Sequence, residues 1–250
     1  MFSVKKYIPD TITCMNLLCG VLGVVAAFCG YLDQAFILML LASLFDFCDG
    51  LAARTLGAYS DLGKELDSLS DLVSFGVLPS VMMVNYMATA HGDLMGPAAW
   101  WVKALCLAPV IVAVFSGVRL AKFNIDERQS SSFLGLPTPS CAMICASLVC
   151  FAYRTPDSFV ADWCSSLVLF PVLSVCMAAM LVCELPMFSL KIHKGDDFKS
   201  DAYIERYIFL GIIVAIIVLV LVLRLHWSLI VFVALLAYVL MNIAYACVRR

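Results

Sequence analysis

Charged side chains are scarce in this sequence, 14% of 250 residues, which excludes a water-soluble globule, where about a quarter of the residues carry charge. The basic residues form no tract, so the electrostatic footprint of a nucleic-acid binder is missing and no nucleic acid is expected among the partners. Histidine occurs three times, at His91, His193 and His226, without the spacing of metal ligands. The twelve cysteines include no C-x-x-C pair and nearly all sit in apolar runs. They read as small hydrophobes rather than as a disulfide framework or a redox couple. There is no tandem repeat and no low-complexity tract.

What is present is apolar sequence: 64% hydrophobic residues and a mean hydropathy of +1.01. This composition describes a polytopic membrane protein, and a chain in lipid must satisfy its backbone internally, so the expected fold is an all-α helical bundle. Eight segments are expected to span the bilayer. They run from Thr11 to Gly30, Ala35 to Arg54, Lys64 to Ala90, Trp100 to Phe123, Pro139 to Tyr153, Leu167 to Leu185, Tyr207 to Leu223 and Ser228 to Val248. A signal peptide is a poorer reading of the first, because the run is long and the second follows after only Tyr31 to Gln34. The loops Asp126 to Ser132 and Lys191 to Asp201 read as solvated linkers.

Threading eight spans from a cytoplasmic N-terminus puts 13 of the 16 Lys and Arg residues on or near the inner side. These are Lys5, Lys6, Arg54, Lys64, Arg119, Lys122, Arg128, Lys191, Lys194, Lys199, Arg206, Arg249 and Arg250, while Lys103, Arg154 and Arg224 fall outside. Both termini are then cytoplasmic. Trp100 and Trp101 suit an interfacial belt.

Against this background one stretch is anomalous. Asp46, Asp49, Gly50 and Ala53 fall at i, i+3, i+4 and i+7 of one helix, and Gly63, Asp67 and Asp71 make an i, i+4, i+8 stripe on the next. Each aspartate deep in a membrane helix costs about 2.5–3.5 kcal/mol, which Arg54 alone cannot offset. An oxygen-only donor set with neither His nor Cys fits a hard cation, Mg²⁺ or Mn²⁺, and two such ions would balance the four carboxylates. Gly50, Ala53 and Gly63 leave the same face open to a ligand. Asp46 lies eight residues before Arg54, about 12 Å along the helix from the expected cytoplasmic end, a depth suited to joining a lipid to a soluble partner.

Asp46-x2-Asp49-Gly50-x2-Ala53-Arg54-x8-Gly63-x3-Asp67-x3-Asp71 resembles the complete signature of the CDP-alcohol phosphatidyltransferases. The resemblance implies a six-helix core with a two-metal centre, in which Asp46, Asp49 and Asp67 bind metal and Asp71 both touches metal and acts as general base. It further implies that Gly50, Ala53, Arg54 and Gly63 hold the CDP part of the lipid substrate, with Thr13 and Asn16 as additional candidates for that pocket. Ile8-Pro9-Asp10-Thr11-Ile12-Thr13-x2-Asn16 is similar to the Pro-Asn-x-x-Thr opening of the family's first helix, with Asp10 where Asn is usual.

Two further stretches bear on the acceptor. Arg119-Leu120-Ala121-Lys122-Phe123-Asn124 resembles the Arg-Leu-Ala-Arg-Phe-Asn segment of the serine-using type II branch, with Lys122 in place of the second Arg. Phe133-Leu134-Gly135-Leu136-Pro137-Thr138-Pro139 matches that branch's Phe-x-Gly-Leu-Pro-x-Pro turn in full. The expected reaction is therefore transfer of phosphatidyl from CDP-diacylglycerol to L-serine, giving phosphatidylserine and CMP. Arg119, Lys122, Asn124, Gly135 and Pro137 are the candidate serine contacts. A lysine at 122 cannot copy a bidentate arginine fork, and Arg119 and Lys122 also fit simple positive-inside anchoring.

The resemblance also implies a homodimer; a prokaryotic cytoplasmic membrane is the expected location, and the threading above has the active site facing the cytoplasm. The whole chain, 1–250, is expected to be one catalytic domain, its core at about 8–186 and two additional helices at about 206–248. Other acceptors or an archaeal lipid donor are the rivals within the family. A UbiA-type prenyltransferase would carry two Asn-Asp-x-x-Asp-like motifs on distant helices. A proton-coupled transporter would show paired half-sequences, and the last third has no counterpart of the aspartate cluster. No His, Cys or Lys lies within the aspartate faces to act as a covalent nucleophile, so transfer is expected to be direct.

Overall fold

A computed structural model describes residues 7–92, 94, 96–125, 133–184, 186–187 and 201–248. Its helices are α1 (Tyr7–Phe28), α2 (Leu32–Leu56), α3 (Asp61–Asp71), α4 (Leu78–His91), α5 (Trp100–Leu107) and α6 (Val110–Ile125), followed by α7 (Thr138–Arg154), α8 (Phe159–Cys164), α9 (Leu169–Val182), α10 (Asp201–Val222) and α11 (Ser228–Val248). Two dipeptides, β1 (Phe133–Leu134) and β2 (Pro186–Met187), pair antiparallel, Phe133 opposite Met187. The all-helical membrane bundle expected from hydropathy is the observed architecture. Among the described residues four stretches are long and apolar enough to cross a bilayer, Tyr7–Phe28, Leu32–Leu56, Asp61–His91 and Trp100–Ile125, and shorter apolar helices follow them. The sixth expected span is shorter than its apolar run, since α9 stops at Val182 and the chain turns extended at Cys183.

Two long spans carry local departures that hydropathy does not show. Between α3 and α4 the residues Leu72–Val77 form a π-helical turn, with the Leu78 N–H donating to the Val73 carbonyl five residues back. Pro79 follows at once. It has no N–H for the carbonyl of Phe75 and its ring crowds that turn, so the helix widens there rather than breaking. Pro109 likewise separates α5 from α6 by a two-residue turn.

Close approach of α1 to this widened turn sets the middle of the bundle. A Cβ on Gly20 would lie 2.3 Å from Ser74 Oγ, and one on Gly23 would lie 2.6 Å from a Leu78 methyl. Only glycines let the two backbones pack at that distance. The core around them is built from Phe36, Met39, Phe75, Met82, Met83 and Phe170, all fully buried.

The contacts at helix ends sort into two sets, as the threading requires. At one end Arg154 pairs with Asp33, Trp227 stacks on Phe36 with ring centroids 5.4 Å apart, and His226 Nδ1 lies 2.8 Å from Ser228 Oγ. At the other end Lys64 donates to the Asn124 carbonyl at 3.1 Å, and the Leu136 N–H donates to the Met180 carbonyl at 3.0 Å. Lys5, Lys6, Arg128, Lys191, Lys194, Lys199, Arg249 and Arg250 lie outside the described residues, as do the Asp126 to Ser132 loop and most of the Lys191 to Asp201 loop.

Candidate active site

A tight reversal between α2 and α3 makes the acidic centre. Gly57, with φ of 60°, ends α2 by donating its N–H to the Ala53 carbonyl, and Ser60 starts α3 by accepting from the Gly63 N–H at 2.9 Å. The two aspartate stripes are thereby brought face to face. Carboxylate oxygens of Asp46, Asp49 and Asp67 all lie within 4.8 Å of one another.

The first helix clamps this hairpin from the side. Thr13 Oγ1 donates to Asp49 Oδ2 at 2.6 Å, and Asn16 Nδ2 donates to Asp71 Oδ1 at 3.3 Å. In the same register Ser70 Oγ donates to the Thr13 carbonyl at 3.3 Å and Ser74 Oγ to the Asn16 carbonyl at 3.2 Å. Thr13 and Asn16, expected in the nucleotide pocket, thus direct their polar hydrogens at two of the aspartates.

Three carboxylates so close repel one another unless a cation sits among them. Among the described residues no Lys or Arg forms an ion pair with any of the three, and Asp67 Oδ1 is buried without a partner. An all-oxygen donor set with an unsatisfied carboxylate oxygen fits a hard divalent cation. Asp71 stands beside this group, bonded to Asn16 and near enough to Asp46 and Asp67 to feel their charges.

A pocket of about 500 Å³ opens from the centre toward the end of the bundle where Arg54 lies. Asp49 and Asp67 form its floor, and Gly50, Ala53, Arg54 and Gly63 line its wall. A Cβ on Gly50 would meet nothing nearer than an Arg54 nitrogen at 3.9 Å, so that wall stays open. At Gly63 the absence of a side chain has another purpose, since a Cβ there would lie 2.7 Å from Asp10 Oδ1. Lys64, Tyr59 and Phe123 also border the pocket and were not singled out from the sequence. Lys64 follows Gly63 directly, but only the fold shows that Phe123 of α6 meets this rim.

The candidate acceptor residues separate. Arg119 is buried, donates from Nη1 to Thr138 Oγ1 at 3.0 Å, and lies within electrostatic reach of Asp71. Lys122 is exposed on α6. Asn124 donates from Nδ2 to Ser68 Oγ at 2.9 Å, tying the end of α6 to α3. Gly135 has φ of 76°, and a Cβ there would lie 2.6 Å from the Cys183 carbonyl, so the turn rests directly on the end of α9. Pro137 caps α7 and delivers Thr138 to Arg119.

A bundle of apolar helices enclosing a carboxylate cluster suited to a hard cation, with a pocket opening from it, is the architecture of a membrane-embedded enzyme. The family model for CDP-alcohol phosphatidyltransferase matches residues 6–182, and the chain belongs to that family. It is 35% identical over 149 residues to the CDP-diacylglycerol--serine O-phosphatidyltransferase of Bacillus subtilis, covering 60% of this chain and 78% of that one. The Methanocaldococcus jannaschii protein of the same name is 34% identical over 58% of this chain and 62% of its own length. The archaetidylserine synthase of Methanothermobacter thermautotrophicus is 35% identical over 56% of each chain. In the two archaeal cases the match spans less than two thirds of the relative.

Proposed function

We propose that this protein transfers the phosphatidyl group of CDP-diacylglycerol to the hydroxyl of L-serine, giving phosphatidylserine and CMP. The observation that carries this reading is a two-part site. An acidic cluster opens into a pocket walled by Arg54 and small residues, and Arg119 lies buried on α6, where the charge of Asp71 reaches it. The names of the bacterial and archaeal relatives agree on serine as acceptor.

Asp46, Asp49, Asp67 and Asp71 are the residues that would hold Mg²⁺ or Mn²⁺, two ions by the charge count. Bound there, such ions supply neutralisation of the pyrophosphate and of the departing CMP. Thr13 fixes the carboxylate of Asp49 and Asn16 that of Asp71. Gly50 and Ala53 give the nucleotide room on the α2 face, and Arg54 pairs with phosphate charge. Asp71 removes the proton from the serine hydroxyl while the oxygen attacks the phosphorus attached to diacylglycerol and the bond to CMP breaks.

The pocket opens at the helix ends rich in Arg and Lys, and by the positive-inside rule this supports a site on the cytoplasmic side of the membrane. The chain acts as one domain, α10 and α11 serving as an addition to the core, and as a homodimer in a prokaryotic inner membrane. The archaetidylserine name of one relative at similar identity keeps an ether-lipid donor as a second reading, with the same acceptor.

Purified protein given CDP-diacylglycerol and a panel of labelled alcohols tests this. Serine is expected to yield phosphatidylserine with equimolar CMP, whereas glycerol 3-phosphate and inositol phosphate are expected to yield at most traces. Faster turnover of either phosphorylated alcohol would overturn the assignment.

A further inference from the structure

The 500 Å³ pocket beside the aspartate cluster is layered. Thr13, Asp49 and Asp67 lie at its floor, and about one helical turn nearer the mouth come Asp10 on α1, Arg54 on α2, and Gly63 and Lys64 on α3. Sequence spacing sets this step, since Asp10 precedes Thr13 by three residues and Gly63 precedes Asp67 by four, about 4.5–6 Å along their helices. The upper layer therefore places two cations and one carboxylate around open space.

That carboxylate has no task in the protein. Asp10 is partly buried on the pocket wall, and among the described residues it enters no hydrogen bond and no ion pair, although Arg54 and Lys64 line the same space. The other two carboxylates of the pocket are accounted for, because Asp49 accepts from Thr13 and both Asp49 and Asp67 belong to the group that suits a cation. Asp10 stands outside that group. Its place is nonetheless provided for, since a Cβ on Gly63 would lie 2.7 Å from Asp10 Oδ1 and only a glycine leaves the carboxylate its room.

A carboxylate accepts hydrogen bonds and donates none, and it repels phosphate. In a pocket whose floor and cations suit a pyrophosphate, Asp10 has to face the part of a nucleotide that offers donors, either the ribose hydroxyls or the cytosine amine. Reach separates the two. A phosphate held at the floor has its own ribose within about one helical turn, about 5 Å, whereas the amine projects from the far side of the base. The 2′ and 3′ hydroxyls are also a cis pair, two donors matched to the two oxygens of one carboxylate.

We propose that Asp10 is a specificity-determining residue that accepts hydrogen bonds from the ribose diol of the CDP-lipid and makes the protein selective for ribonucleotide over 2′-deoxyribonucleotide donors. This rests on the reading that CDP-diacylglycerol is the donor substrate. An asparagine at position 10 would offer one acceptor oxygen and no charge, so the strength of the contact belongs to the carboxylate.

Steady-state kinetics with CDP-diacylglycerol, its 2′-deoxycytidine counterpart and its uridine counterpart test the proposal. Wild-type protein should favour the ribose over the 2′-deoxyribose donor by about 10-fold or more in kcat/KM, as expected for a lost hydrogen bond to a charged group. In Asp10→Ala the two should fall within about threefold of each other, through loss on the ribose donor, while discrimination against the uridine donor and the KM for serine stay within about twofold of wild type. Asp10→Asn, which keeps the size of the side chain, should leave an intermediate preference and serves if the alanine variant does not fold. Equal use of both sugars by wild-type protein, or a full preference retained in either variant, would overturn the inference. So would loss of discrimination against uridine in place of deoxyribose, which would show that Asp10 reads the base. Failure of the underlying reading is seen separately, in wild-type protein that releases no CMP from CDP-diacylglycerol.

Discussion

Asp49 and Asp67 are the residues on which the centre depends most directly, because each contributes a carboxylate oxygen to the group within 4.8 Å and among the described residues neither pairs with a basic side chain. Asp49→Asn or Asp67→Asn keeps size and polarity but removes a charge from the donor set. Each should lower turnover by more than about 100-fold, as loss of transition-state charge stabilisation does, in protein that still elutes as a single folded species from detergent. Thr13→Val is a subtler test. It keeps shape and loses the 2.6 Å bond to Asp49, so turnover should fall about tenfold and more divalent metal should be needed for half-maximal activity. The aspartates were legible in the sequence because their spacing encodes two helix faces and their charge contradicts their surroundings. The partnerships of Thr13 and Asn16 were not. They join residues 36 and 55 positions apart, and no local pattern reports which way a side chain on α1 faces until the helices are packed.

At the scale of elements, the expected spans correspond to helices, but what happens inside them is set by proline. Pro79 and Pro109 sit in runs apolar enough to read as uninterrupted, and hydropathy is blind to a missing N–H. The Gly135 turn is the opposite case, since its residues stood out in the sequence while their mechanical use became visible only against α9. Gly135→Ala forces a side chain into the left-handed region and onto the Cys183 carbonyl. It should cost about 1–3 kcal/mol, read as a lower midpoint in thermal unfolding, and should weaken serine transfer through Thr138 and Arg119. At the opposite end, the turn between α10 and α11 offers a pH test. Burial and the neighbouring Arg154 push the His226 imidazole below its ordinary value of 6.5, against the pull of Asp33. The folded state therefore favours the neutral ring, whose Nδ1 accepts from the Ser228 N–H at 3.4 Å. This contribution is present above the ordinary value and is lost as the pH falls through the lowered one. Wild-type protein should lose more thermal stability on acidification from about pH 7 to about pH 5 than His226→Gln does.

For the whole molecule, the arrangement follows from one physical conflict: four carboxylates are held among helices that are otherwise as apolar as lipid. Their cost is met by concentrating them in a single hairpin, clamping that hairpin with α1, and leaving a pocket open beside them. Bundle class and the position of this centre were written in composition and spacing. The separation of Arg119 from Lys122 and Asn124 was not, because a six-residue motif covers nearly two helical turns and only packing decides which of its faces is buried. The central claim is that the aspartate cluster works as a divalent-metal centre for transfer to serine. It is tested most directly by measuring CMP release from CDP-diacylglycerol and L-serine after chelation and then after readdition of Mg²⁺ or Mn²⁺. Activity should vanish on chelation and return with the metal in wild-type protein but not in Asp67→Asn. Undiminished serine-dependent release from metal-free wild-type protein would contradict the claim.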